Sequence, residues 1–93
     1  MREIRQSSVF KRDLKREVND QHKDFLAKHF AKIIETLAND GSLDAKHRDH
    51  PLAGEWKDHR DCHIRPDLVL IYRKPDDSTL QLVRLGSHAE LSL

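Results

Sequence analysis

Seven histidines in a chain of 93 residues are several times ordinary usage, and imidazole is the side chain whose proton moves near neutral pH. Three of them sit in chemically suggestive company. His50 closes the polar run His47-Arg48-Asp49-His50-Pro51, His63 lies in Arg60-Asp61-Cys62-His63-Ile64-Arg65-Pro66-Asp67, and His88 ends Gly86-Ser87-His88. If Ile64-Arg65-Pro66 turns the chain, His63 and Asp67 stand opposite each other on neighbouring strands, about 5 Å apart at Cβ. A carboxylate there holds the ring's tautomer and raises its pKa. Arg60, Arg65 and Arg73 are close by and supply fixed positive charge for a phosphate. Imidazoles, a carboxylate and guanidinium on one open sheet face are the ingredients of metal-free RNA cleavage. One imidazole takes the 2′-hydroxyl proton, another protonates the leaving 5′-oxygen, and guanidinium stabilises the crowded phosphate.

Each of these residues also has a plain structural explanation. His22, His29 and His47 read as solvated or boundary side chains in a charge-rich chain. His59 alternates in phase with His63, so the two share a sheet face. Trp56 reads first as a core or rim anchor and second as a stacking platform. A zinc site is excluded by spacing: His59 and His63 are four apart, which suits a helix, but in a strand their rings stand roughly 13 Å apart. Cys62 points to the opposite face. No Ser-His-Asp set, glycine-rich phosphate loop or paired-carboxylate motif is present.

The elements that must position these groups divide into a helical half and a strand-rich half. Arg2–Gln6 reads as an edge strand, and Ser7-Ser8 as a helix N-cap. Phe10, Leu14 and Val18 follow at helical spacing. Phe25, Leu26, His29, Phe30, Ile33, Ile34, Leu37 and Ala38 form a second apolar stripe, with Gly41 as its stop. Periodicity is absent from Ser42 to Glu55, which reads as an ordered loop. Strands are expected over Trp56–Ile64, Asp67–Lys74 and Thr79–Leu85, with Pro75-Asp76-Asp77-Ser78 as a turn. Leu68-Val69-Leu70-Ile71-Tyr72 has no alternation and fits a central strand covered on both faces. The expected fold is a single α+β domain over residues 1–93, β-α-α-β-β-β, two helices on one face of a mainly antiparallel sheet.

Composition sets the outer limits. A chain this short buries about 65% of its open surface, enough for a thin core and too little for a large cofactor-enclosing fold. Basic residues number 17 and acidic ones 16, so no global field advertises a polyanionic partner. One cysteine excludes an internal disulfide framework and suits a reducing cytosol. No apolar run approaches a membrane span, and the N-terminus lacks a signal-peptide core. A cytoplasmic protein without membrane contact is expected.

Three segments, taken in order and at their spacing, carry a family resemblance. They are Arg48-Asp49-His50-Pro51-Leu52-Ala53-Gly54-Glu55-Trp56-Lys57, then Arg60-Asp61-Cys62-His63-Ile64-Arg65-Pro66-Asp67 running on to Leu70-Ile71-Tyr72, then Arg84-Leu85-Gly86-Ser87-His88-Ala89-Glu90-Leu91. This pattern, over most of residues 46 to 91, resembles the YafQ branch of the RelE/ParE toxin superfamily. The resemblance implies a RelE-like fold and the toxin of a type II toxin–antitoxin pair, an endoribonuclease that enters the ribosomal A site and cuts translated mRNA. It implies no metal and no cofactor. It implies a cognate antitoxin with a dimeric DNA-binding domain, and contact with operator DNA only through that antitoxin.

Residue by residue, the resemblance puts His50, His63, Asp67 and His88 at catalytic positions, with His50 as base and His88 as acid. His63 and Asp67 then position the phosphate and tune charge. Arg60 and Arg84 are the foremost phosphate ligands, with Arg65, Arg73 and Lys57 beside them. Lys11, Arg12, Lys15, Arg16, Lys23 and Lys28 are the expected ribosome contacts. Two departures stand out: relatives carry an aromatic residue near the C-terminus where this chain has Leu91-Ser92-Leu93, and the near-neutral charge is unlike a strongly basic toxin. Two other classes compete, a non-catalytic ParE-like inhibitor of a protein target and an inactive antitoxin-binding module. Neither gives a reason to gather His50, His63, Asp67 and His88.

Overall fold

The computed structural model describes all residues, Met1–Leu93. Strand β1 (Glu3–Gln6) leads through Ser7 into helix α1 (Ser8–Val18), and a second helix spans residues 23–38. Strands β2 (His50–Pro51), β3 (Arg60–Arg65), β4 (Leu68–Arg73) and β5 (Thr79–Gly86) complete the chain. They form one sheet in the order β1-β5-β4-β3-β2, with β1 parallel to β5 and the other pairs antiparallel. The helices cover one face, as the α+β expectation required.

β4 occupies the centre because it has no polar side to show. Leu68, Leu70 and Tyr72 join Phe10, Leu26, Ile33, Ile34 and Leu37 in the main core under the helices. Val69 and Ile71 point the other way and pack with the buried Leu91, under Leu52, Trp56 and Val83. A strand buried on both faces reads as a continuous apolar run, and this one does.

The second helix is interrupted by a π turn, Leu26–Phe30, which leaves Leu26 inward and His29 exposed. Its end is a Schellman motif: Asp40 N donates to Leu37 O and Gly41 N to Thr36 O at 2.8 Å. Asp40 takes the left-handed conformation, φ 58°. Gly41 is required by close approach, since a Cβ there would come within 3.0 Å of the Thr36 methyl. Hydrogen bonds from Lys74 and Arg2 hold the Asp40 carboxyl down to about 2 and tie the helix end to β4 and to the N-terminus.

α1 is fixed by its own cap and by β5. Ser7 Oγ accepts from Phe10 N at 2.9 Å, as the cap reading anticipated, and donates to Val83 O at 2.8 Å. β1 stops at the level of Leu82, so the next residues of β5 have lost their strand partner. Side chains of α1 take its place. Asp13 Oδ2 accepts from Leu85 N at 3.1 Å, and Arg16 Nη2 donates to Leu85 O at 2.9 Å. Burial pushes the Asp13 carboxyl up, but the hydrogen bonds from Arg84 and Leu85 N and the charges of Arg84 and Arg16 outweigh it. The net direction is down.

Several expectations are corrected here. β3 starts at Arg60, not Trp56, because Gly54–Trp56 coils into a 3-10 turn and Asp58 is left-handed at φ 69°. His59 therefore lies outside the strand, its Nδ1 on Lys57 O. Inside the expected loop, His50–Pro51 forms a fifth strand against Asp61 and Arg60; two residues including a proline leave no periodic trace. His22 and His47, read as solvated, are buried.

Asp13 supports the far end of β5, so its removal should be felt by the whole fold. Asp13→Asn should cost about 3 kcal/mol in urea unfolding at pH 7, the cost of breaking a buried ion pair. The folded carboxyl titrates below its ordinary value of 3.8, so its contribution is present above that pH and lost as pH falls through the folded value. The gap between wild type and variant should accordingly close on acidification; a gap unchanged at low pH would show that the ion pair is not its source.

Candidate functional site

The site assembles at the margin of the second, smaller core, on the sheet face away from the helices. β2 is short, but its neighbouring side chains are fixed on opposite faces. Asp49 accepts from Tyr72 Oη at 2.6 Å and from Arg60 Nε at 3.1 Å. His50 faces the other way, its Nδ1 3.0 Å from Asp61 Oδ1, and the two residues are partners in the ladder. The same Nδ1 is aimed at Arg48 O, 2.5 Å away, and that carbonyl accepts only, so Nδ1 carries the proton. Asp61 Oδ1 is left close to the ring but without a hydrogen bond.

On β3, Asp61 and His63 are two apart and share the face of Ile71 and Val69, their partners on β4. His63 lies against His88, ring centroids 4.9 Å apart and planes at 58°. His47 Nδ1 donates to His63 O at 2.6 Å from beneath. His88 is presented by a C-terminal turn with its own supports: Ser87 N donates to Glu90 Oε1 at 2.9 Å, Glu90 N to Ser87 Oγ at 3.1 Å, and Leu91 is 2% exposed in the second core. Gly86 allows this turn to sit against α1, because a Cβ there would meet Arg16 Nη2 at 3.0 Å and Glu90 Oε1 at 3.3 Å.

The electrostatics of the cluster follow from burial. Asp61 is 2% exposed. Burial pushes its carboxyl up from the ordinary range, against the pull of His50, His63 and His88. His63 is pushed down, first by burial and then by the neighbouring His88, with Arg48 and His50 adding to the effect and Asp61 opposing it. His63 is thus held neutral beside an exposed His88. A buried carboxylate and three imidazoles in mutual contact can store, accept and deliver protons without a metal.

The histidines His50, His63 and His88 meet, but the carboxylate among them is not the expected one. The strand partner of His63 is Val69, because a bulge between His63 and Arg65 shifts the register and pairs Arg65 with Leu68. Asp67 stands on the turn, with Oδ2 3.5 Å from the buried His22 Nε2. Asp61 takes the place assigned to it. The strand alternation that put Arg60 on the other face from His63 also put Asp61 on the same face, and that was the available signal.

The arginines are mostly engaged elsewhere. Arg60 is bound to Asp49, and Arg84 Nε donates to Asp13 at 2.7 Å. Arg65 lies over the Phe25 ring, 4.8 Å from its centroid, and Arg73 is half-buried with Nε unpaired. Lys57 is exposed on the loop before β3. Arg48, missed among the phosphate candidates, is exposed and left-handed at φ 47°, and its charge acts on His63. Of the expected ribosome contacts, Lys11, Arg12, Lys15, Lys23 and Lys28 are exposed. Arg16 is not free: it bridges Asp13, Glu17, Glu90 and Leu85 O.

Known proteins share both the sequence and this arrangement. Residues 2–93 match the family described as the bacterial toxin of type II toxin–antitoxin system, YafQ. The mRNA interferase toxin YafQ of Escherichia coli K12 is 40% identical over 92 residues, covering 97% of this chain and 95% of that protein. A mutant toxin from Helicobacter pylori, solved in a copper-bound form, superposes with a TM-score of 0.88 at 36% identity, covering 98% of this chain and 99% of the other. A chain of the Escherichia coli DinJ–YafQ complex superposes at 0.78 with 35% identity and 98% coverage of both. With a family match over nearly every residue and relatives well above the level of fold likeness, the chain belongs to the YafQ family of bacterial toxins of type II toxin–antitoxin systems.

Proposed function

We propose that this toxin, acting as a single domain over residues 1–93, is a ribosome-dependent endoribonuclease that cuts translated mRNA in the cytoplasm. The observation that carries the reading is the contact of four titrating groups, His50 on Asp61 and His63 on His88, at one edge of an open sheet face. The curated relative is named an mRNA interferase, which agrees with that chemistry. No helix of this chain is long and apolar enough to cross a membrane.

The geometry suits a division of roles. His50 carries its proton on Nδ1, so Nε2 offers a lone pair to the 2′-hydroxyl of the scissile nucleotide. The 2′-oxygen attacks phosphorus, the bond from phosphorus to the 5′-oxygen breaks, and His88 gives that oxygen its proton. The products are a 2′,3′-cyclic phosphate and a free 5′-hydroxyl. Asp61 stabilises the imidazolium formed at His50, and neutral His63 orients His88. Arg48 neutralises the phosphate, with Lys57 beside it, while Arg60 and Arg84 act through Asp49 and Asp13. Asp67 stays in the set as the exposed carboxylate of the β3–β4 turn, acting on bound RNA rather than on His63. Lys11, Arg12, Lys15, Lys23 and Lys28 face the ribosome. The cognate partner is an antitoxin, as DinJ is for the Escherichia coli relative, and it links the toxin to operator DNA through a dimeric DNA-binding domain.

Primer extension on an mRNA translated in a reconstituted system tests the reading. Cuts at fixed codon positions should require both toxin and ribosomes, and His88→Ala should lower their rate by about 10²–10⁴-fold with folding retained. The rate should be bell-shaped in pH, falling outside roughly pH 5.5–8.5, since one imidazole must be neutral and the other charged. Intact mRNA under these conditions would favour the non-catalytic ParE-like class.

Asp61→Asn separates stability from chemistry. The folded carboxyl binds its proton above the ordinary 3.8, so it favours the fold only at low pH, and that contribution is lost as pH rises through the folded value. At pH 7 the variant should therefore be more stable, by roughly 1–2 kcal/mol, and should cut mRNA more slowly. A variant both less stable and fully active would remove Asp61 from the mechanism.

A further inference from the structure

Two adjoining hollows run along the molecule between the second helix and residues 42–47. The larger, about 360 Å³, is bordered by Lys32, Ile33, Leu43 and Lys46. The smaller, about 260 Å³, continues past Lys46 to Ile64 and Arg65 and ends at the back of His63. Phe25 and His47 border both, so the hollows form one groove. Nothing in the cleavage chemistry uses it. Its basic side chains are Lys32, Lys46 and Arg65, with His29 and His47, against the single acid Asp44. Its floor is apolar: Phe25, Ile33, Leu43 and Ile64.

The π turn is what opens the groove. The wider turn over Leu26–Phe30 brings His29 against Phe25, ring centroids 4.7 Å apart, while Arg65 stacks on the same ring. With His29 and Arg65 already against it, Phe25 offers no open face for a nucleobase to stack on. Single-stranded RNA binding needs such a platform. Spaced cations over an apolar floor suit carboxylates alternating with aliphatic side chains.

We propose that this groove docks an acidic, amphipathic peptide segment of the antitoxin. Its carboxylates meet Lys32, Lys46 and Arg65, and its apolar side chains cover Phe25, Ile33 and Leu43. The inference rests on the toxin–antitoxin reading only for the identity of the partner. A segment seated there leaves His50 and His88 uncovered, yet touches His47, whose Nδ1 is bonded to the carbonyl of His63.

The test uses the full chain, ¹⁵N-labelled, and three probes: a synthetic peptide of alternating Glu and Leu pairs about 12 residues long, the same peptide with Lys for Glu, and an oligoadenylate of similar length. The acidic peptide alone should give saturable amide shifts, centred on residues 25–36 and 42–47. In Lys32→Glu/Lys46→Glu its affinity should fall by at least about tenfold, with the spectrum outside the groove unchanged. Lys32→Gln/Lys46→Gln should fall in the same direction and serves if the charge reversal disturbs folding. No saturable shift, equal affinity in both variants, or the RNA displacing the peptide from these residues would overturn the proposal. Peptide binding in the groove by a toxin that leaves translated mRNA intact would count against the nuclease reading instead, and leave the groove standing.

Discussion

The burial of β4 on both faces is the constraint from which the rest of the molecule follows. Leu68, Val69, Leu70 and Ile71 are completely buried and Tyr72 nearly so. Each such side chain gains about 1.5–3 kcal/mol from leaving water, so neither face can be left open. The helices cover one face fully. The other has only Leu52, Trp56, Val83 and Leu91 to cover it, and those come from the loop before β3, from β5 and from the C-terminal tail. The polar cluster lies where that thin cover ends. His88 is brought to it by the same turn that inserts Leu91, so the tail serves both the second core and the site. The absence of a C-terminal aromatic fits this arrangement: the side chain at position 91 is enclosed and has no surface to offer a base.

Placing Asp61 at that margin has an electrostatic consequence for its neighbours. A carboxylate out of water and without a hydrogen bond on Oδ1 is compensated mainly by the imidazoles beside it. Their charge states are thereby coupled, and no single ring titrates alone. His63, squeezed between burial and His88, gives up its proton first. One buried ring held neutral beside exposed ones is an asymmetry that acid–base chemistry requires and that three equivalent surface histidines would not have.

What was legible in the sequence was what is local. The apolar run of β4, the helical stripe ending at Gly41 and the Ser7 cap each follow from a few consecutive residues. The meeting of His50, His63 and His88 was anticipated, but their carboxylate was misassigned because pairing opposite a turn depends on register. One bulge between His63 and Arg65 moved the partner of His63 from Asp67 to Val69, and side chains in a strand change face with every residue. The arginines failed for a different reason. Arg16 and Arg84 both find Asp13, about 70 residues from Arg84 in sequence, and nothing short of the docking of α1 on β5 reveals that. His22 and His47 were misread because a histidine at an element boundary looks the same in sequence whether the fold closes over it or not.

The nearly neutral net charge can be reconciled with a polyanionic target by asking where the acids are. Asp13 and Asp61 are buried, and Asp49 is held by Arg60 and Tyr72 on the inner side of β2. Their charges face inward or are matched at contact distance, and contribute little to the field outside. Lys11, Arg12 and Lys15 remain exposed on α1, and Arg48 stands exposed by the histidines. Net charge counts a buried aspartate and an exposed lysine equally; a ligand outside the molecule does not. The basic groove beside the second helix is a separate patch of the same kind, with an apolar floor where α1 presents only solvated side chains, so one small toxin can hold its RNA and its protein partner on different surfaces.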